Sequence, residues 1–184
     1  GRSLLNNHWE LVNERGQMTD ETRLGKPVEG WRAPPRPEGL KLTGRYAALE
    51  PLAADRHAAD LFRAFDGHDA LWDYMPVGPF ASAAAFHRWM RDATGGDDPY
   101  FLAIRDLARG HWVGFCALLR IAPEAGSIEV GFIAFSPALQ RTRAATETMF
   151  LLMKWAFEAG YRRYEWKCNA LNRASRRAAQ RLGF

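Results

Sequence analysis

Two acidic residues, Glu129 and Glu165, fall within short stretches that read as strands, and a carboxylate fixed on a strand can take a proton directly or through one water. A second kind of chemistry is offered where a strand candidate gives way to a helix candidate, at Gln140-Arg141-Thr142-Arg143-Ala144-Ala145-Thr146. A helix start presents unbonded N–H groups and the positive end of its dipole, which suits a diphosphate, and arginine adds charge-assisted donors. An ordinary arginine-decorated helix start facing water is the other reading of the same residues. His8, His57, His68, His87 and His111 form neither a metal-ligand spacing nor a triad, so they read as surface or packing residues and no metal is expected. Cys116 and Cys168 also lack ligand spacing and read as buried apolar residues rather than nucleophiles.

The elements that must hold these groups follow from pattern and punctuation. Residues 1–39 are rich in Gly, Pro and polar side chains and end in Trp31-Arg32-Ala33-Pro34-Pro35-Arg36-Pro37, so they read as an extended arm anchored by Trp31. Residues 40–184 read as one domain. A first strand is expected over Leu40–Glu50, then a helix over Arg56–Phe65 and a second helix capped by Ser82 and ended by Gly95-Gly96. Between those helices, Leu71-Trp72-Asp73-Tyr74-Met75-Pro76 offers two aromatic rings that either line a pocket or plug the gap between helix and sheet. Strands over Tyr100–Arg105, His111–Ile121 and Ser127–Phe135 have short connections and imply an antiparallel meander. A helix over Arg143–Glu158, ended by Gly160, leads by a crossover to a strand over Tyr164–Cys168, which makes that pair parallel and right-handed. A last helix covers Ala174–Arg181.

The 184 residues carry a formal charge of +4, mostly through arginine and without a long block of one sign. That argues against a nucleic-acid-binding tail and fits a polyanionic small ligand. No apolar run is long enough for a membrane span, no leader pattern opens the chain, and two cysteines make no disulfide framework, so a reduced cytoplasmic protein is expected.

The element order resembles the fold of the GCN5-related N-acetyltransferase (GNAT) superfamily, a mixed, mostly antiparallel sheet flanked by helices in the α/β (α+β) class. Two local patterns carry the resemblance. Gln140 and Ala145 fit the Q/R-x-x-G-x-G/A phosphate loop, with Arg143 standing where the family has glycine. Asn172-Arg173-Ala174-Ser175, with Ala178-Ala179 and Gly183-Phe184, is similar to the N-x-x-S…A-x-x-x-G-F ending of the RimJ/RimL-like branch. Gly30-Trp31, Pro34-Pro35-Arg36-Pro37, Gly44-Arg45-Tyr46 and Tyr164-Glu165-Trp166-Lys167-Cys168-Asn169 extend it to a subgroup related to microcin C self-immunity acetyltransferases. Members of that branch continue into a final strand and hairpin, so the domain is expected to be C-terminally incomplete at Phe184.

The resemblance implies acetyl transfer from acetyl-coenzyme A, used as cosubstrate, to a primary amine such as a protein N-terminus or an aminoacyl-nucleotide. Arg141, Thr142, Arg143, Ala144, Ala145 and Thr146, with Gln140, would cradle the diphosphate. Pantetheine would run in a slot between Phe132, Ile133, Ala134 and Lys167–Asn169, where two strands splay apart, and backbone N–H groups around Gly131–Ile133 would meet the oxyanion. Asn172 would support pantetheine, and Ser175 would give a proton to the departing thiolate; simple support for the last helix is the other role open to Ser175. Glu129 is the first candidate for the base and Glu165 the second, while Trp72 and Tyr74 would face the acceptor. A non-catalytic acyl-coenzyme A sensor is the competing reading, and an RNA-binding domain using Arg141, Arg143, Arg173, Arg176, Arg177 and Arg181 ranks last. A homodimer is compatible with the resemblance, with no interface located.

Overall fold

The structure, a computed structural model, describes residues 28–184; most of the expected N-terminal arm lies outside the described residues. The chain divides into two compact units, Gly1–Arg32 and Ala33–Phe184. Trp31, expected as an anchor, belongs to the first unit and is exposed. Within the second, Pro34 and Pro37 are buried, Tyr161 donates its hydroxyl to the Pro35 carbonyl at 2.9 Å, and Arg36 donates to the Ile121 carbonyl at 3.0 Å.

The second unit contains β1 (Leu42–Thr43), β2 (Ala47–Pro51), α1 (Ala54–Phe65), α2 (Ala83–Ala93), β3 (Tyr100–Asp106), β4 (His111–Ala122), β5 (Ser127–Phe135), α3 (Arg143–Glu158), β6 (Arg163–Trp166) and α4 (Arg173–Leu182). Short 3₁₀ turns occupy Asp69–Trp72 and Pro123–Ala125. The single strand expected over residues 40–50 is instead two, because the backbone turns at Gly44–Tyr46 and β1 pairs antiparallel with β2. The six strands lie in chain order, antiparallel from β1 to β5 and parallel between β5 and β6. This mixed sheet with flanking helices is the expected fold.

Strand alternation divides the core in two. Leu102, Ile104, Cys116, Leu118, Ile128 and Val130 point to one face, where Ala145, Met149, Leu152 and Ala156 of α3 cover them. Phe101, Ala103, Phe115 and Ala117 point to the other, against Leu61 and Phe65 of α1 and Phe86 and Met90 of α2. Three helix starts are set by side chains accepting from an amide three residues on: Ser82 from Ala85, Thr142 from Ala145 and Asn172 from Ser175. Such caps each stabilise a helix by about 1 kcal/mol. Among the described residues no helix is long and apolar enough to cross a membrane.

Candidate active site

The parallel ladder between β5 and β6 runs from Ser127↔Arg163 to Val130↔Trp166 and stops there. Gly131–Phe135 stay paired with β4 on their other side, whereas Lys167–Asn169 leave β6 without a strand partner. The two strands therefore part at Gly131 and Lys167, where the resemblance implies a slot. Beside it, β5 carries a bulge: between the pairs Ala117↔Gly131 and Phe115↔Ala134, both Phe132 and Ile133 oppose Cys116. Phe132 has φ of +48°, a left-handed conformation that a bulky residue rarely adopts. Its ring packs edge-on against Phe101, with centroids 5.0 Å apart.

After β5 the chain makes a tight turn into α3. Arg141 has φ of +59°, and the Ser136 carbonyl accepts from the amides of Leu139 and Gln140. Gln140 braces the turn by donating its side-chain amide to the Phe135 carbonyl at 3.0 Å. Thr142 donates to the Leu139 carbonyl at 2.6 Å and caps the Ala145 amide at 3.1 Å, and the Thr146 amide reaches the Thr142 carbonyl at 3.3 Å. The expected cradle is thus narrower than Arg141–Thr146, because the helix itself uses the last two amides. Those of Arg141, Thr142, Arg143 and Ala144 have no acceptor among the described residues.

A cleft of about 590 Å³ opens here between Tyr46 and Phe150, bordered by Arg141–Arg143, Thr146 and Glu147. Arg143 lies over the Tyr46 ring, 5.7 Å from its centroid, and Arg181 donates to the Thr146 hydroxyl at 3.2 Å. Arg141, Arg143 and Arg181 form no ion pair with a carboxylate of the described residues. Free amides, a helix dipole and unpaired guanidinium groups fit the diphosphate of a coenzyme.

The acidic candidates lie at the mouth of the slot. Glu129 is buried, facing the side of the sheet that carries α1 and α2, and both its oxygens are engaged: Arg120 Nη1 donates to Oε1 at 2.6 Å and Lys167 Nζ to Oε2 at 2.5 Å. Glu165, directly opposite in the β5–β6 register, accepts from the same ammonium at 2.5 Å and pairs with Arg163 Nε at 2.8 Å. The Lys167 hydrogen bond, aided by Arg163, holds the Glu165 carboxyl below its ordinary range. Hydrogen bonds to Glu129 and Glu165 push the Lys167 ammonium above its own. Arg120 reaches Glu129 from a kink in β4 with φ of +45°, where Asp98 takes the amides of Arg120 and Ile121 at 3.0 and 2.9 Å.

Ser175, in the first turn of α4, accepts from the Trp166 indole N–H at 2.9 Å, which leaves its own hydroxyl proton free to donate elsewhere. Asn172 is occupied as the cap of α4, accepting from the Ser175 amide at 3.0 Å. Trp72 is a core residue, buried among Phe65, Phe80, Phe86 and Phe115, and so takes the plug role the sequence also allowed. Tyr74 alone of that pair presents an exposed ring. Cys116 is buried, which raises its thiol pKa to about 12, and Cys168 is free and exposed. Sequence reasoning passed over Arg120 and gave Lys167 only as an edge of the slot, although Arg163, Glu165 and Lys167 alternate in charge at strand spacing, a pattern that puts them on one face.

The parted strands thus lie beside a helix start whose amides and arginines suit an anion. The chain belongs to the GNAT family: residues 48–184 match the acetyltransferase (GNAT) domain. It is similar to a GCN5-related N-acetyltransferase from Brucella melitensis, with 42% identity over 85% of this chain and 72% of that one, at a TM-score of 0.82. A GNAT-family protein from Chromobacterium violaceum is 41% identical over 87% of this chain and 81% of that one, also at 0.82. At 17% identity, with 79% of this chain and 84% of the other covered and a TM-score of 0.65, the fold is shared with a Salmonella typhimurium acetyl transferase described as modifying the N-terminal serine of ribosomal protein L7/L12. Among curated proteins none matches.

Proposed function

We propose that this protein transfers the acetyl group of acetyl-coenzyme A to the α-amino group of a protein N-terminus or of an aminoacyl-nucleotide. The observation that carries the proposal is the end of the β5–β6 ladder at Val130↔Trp166 beside a helix start with four amides that have no acceptor among the described residues. Those amides and the guanidinium groups of Arg141 and Arg143 bind the diphosphate, and the slot past Gly131 and Lys167 takes pantetheine. The acceptor class rests on the RimJ/RimL-like and microcin C immunity-like motifs, with support from the N-terminal specificity named for the Salmonella relative. An α-amino group, with a pKa of about 8, needs weaker help to lose its proton than a lysine at about 10.4. Such a donor and acceptor fit a cytoplasmic protein.

Each residue then has a defined task. Amides at the Phe132–Ile133 bulge stabilise the oxyanion, and Ser175, held by Trp166, protonates the leaving sulfur. Glu129 accepts the amine proton once the acceptor exchanges with Lys167 at Oε2. The engagement of both Glu129 oxygens also favours a second reading, a coenzyme-binding module without turnover. A thiol-release screen over N-terminal peptides, aminoacyl-nucleotide analogues, polyamines and aminoglycosides separates the two. Acetyl transfer requires release with at least one amine, and with Glu129 as the base Glu129→Gln lowers kcat by about a hundredfold or more. Coenzyme binding without release from any of them contradicts it.

A further inference from the structure

The mouth of the slot contains a primary amine of the chain itself, that of Lys167 beside Glu129 and Glu165. We propose that Lys167 is a self-acetylation site, its Nζ taking the acetyl group when no acceptor is bound. The inference rests on the slot being the seat of the thioester. Lys167 is the first residue after the β5–β6 ladder ends, so it stands where the two chains part. Its Nζ lies 2.5 Å from Glu129 Oε2, the atom assigned to receive the acceptor's proton, and 2.5 Å from Glu165 Oε2. A nitrogen held there needs no diffusion to meet a thioester carbonyl, and such placement substitutes for a high concentration of free amine.

In the reaction, Glu129 Oε2 takes a proton from the ammonium and the nitrogen lone pair forms the N–C bond to the acetyl carbonyl carbon. The C–S bond breaks, the electron pair leaves on sulfur, the thiolate takes the Ser175 proton, and the second proton of the attacking nitrogen returns through water to the Ser175 oxygen. One ammonium and one thioester become one amide, one thiol and one proton. The two carboxylates keep Lys167 mostly as ammonium, so the step is slow compared with turnover on a bound acceptor. Its consequence is electrostatic: an acetamide carries no charge, Glu129 keeps only Arg120 as a cationic partner and Glu165 only Arg163.

The test uses the lysines as their own controls, because Lys41 and Lys154 are exposed and far simpler in environment. The full chain is incubated with acetyl-coenzyme A without acceptor, and in parallel with N-acetoxysuccinimide, a donor that needs no slot. Peptide mass spectrometry then follows the acetyl mass on each lysine. Lys167 should be modified about tenfold faster than Lys41 and Lys154 with acetyl-coenzyme A, yet slowest with the succinimide ester, which reads its protected ammonium. Lys167→Arg should abolish acceptor-free thiol release, and Glu129→Gln should slow acetylation of Lys167 alone. If external amines release thiol while Lys167 gains acetyl no faster than Lys41 and Lys154, the inference fails and the proposed function stands. If neither thiol release nor selective modification occurs, both fail.

Discussion

Gly44 and Glu147 occupy one space: a Cβ on Gly44 would overlap the Glu147 carboxylate. The Glu147 oxygens accept from the amides of Arg45 at 2.8 Å, Tyr46 at 2.6 Å and Ala47 at 2.8 Å, so a carboxylate from the first turns of α3 clamps the β1–β2 turn. The same turn carries Tyr46, on which Arg143 rests. Gly44→Ala and Glu147→Ala should each cost about 1–3 kcal/mol, since either leaves amides without their charged acceptor. Because both remove one interaction, the double variant should cost little more than either single one in urea unfolding. Additive losses would mean the two residues act separately.

The clamp also carries a pH dependence. Burial opposes ionisation of Glu147, but the amides of Tyr46, Arg45 and Ala47 outweigh it and hold the carboxyl below its ordinary value of 4.5. A carboxylate depressed by folding contributes stability in full above its unfolded pKa, and that contribution is lost as pH falls through the folded one. The melting temperature of the native protein should therefore exceed that of Glu147→Gln at neutral pH. The gap should close only below about pH 4.5, the unfolded carboxylate range. A gap that stays constant with pH would show that the charge is not what binds the turn.

Phe132 combines backbone strain with a packed ring. A non-glycine residue at positive φ costs about 1–2 kcal/mol. Phe132→Gly relieves that strain, whereas Phe132→Ala keeps it, and both remove the contact with Phe101. The glycine variant should be the more stable of the two by about 1 kcal/mol in thermal or urea unfolding, against the usual order in a strand. Alanine being the better tolerated would mean that the bulge relaxes once the ring is gone.

Ser175 and Trp166 give a kinetic prediction. Ser175→Ala should lower kcat by about tenfold to a hundredfold, the scale of a lost proton donor, and leave coenzyme affinity nearly unchanged. Trp166→Phe keeps the hydroxyl but removes the indole donor that orients it, so a smaller loss in kcat is expected. Steady-state thiol release checks both. A fall in coenzyme affinity with unchanged kcat would return Ser175 to a role in supporting α4.

Much of the layout is legible in the sequence because it follows from periodicity and punctuation. The β5 and α3 boundaries come from Ser127–Phe135 alternation and from Gly160, and Ser82 caps α2 as its type suggests. The turn at Gly44–Tyr46 was hidden inside an apparently continuous strand because its stabilising carboxylate, Glu147, arrives from a hundred residues away. The bulge at Phe132 depends on how β4 and β5 come into register, and Phe at a left-handed position gives no local warning. The ion pairs around Glu129 likewise join β4, β5 and the segment after β6, and only the Arg163-Glu165-Lys167 alternation was visible beforehand.

The central claim, that the α3 start and the parted strands together seat an acylated coenzyme, is tested most directly by backbone amide NMR during titration with coenzyme A. The amides of Arg141, Thr142, Arg143 and Ala144 should shift and slow their exchange together with those of Phe132 and Ile133, at one common affinity. Saturable binding that leaves both sets unchanged, or that moves amides elsewhere in the sheet, would contradict it.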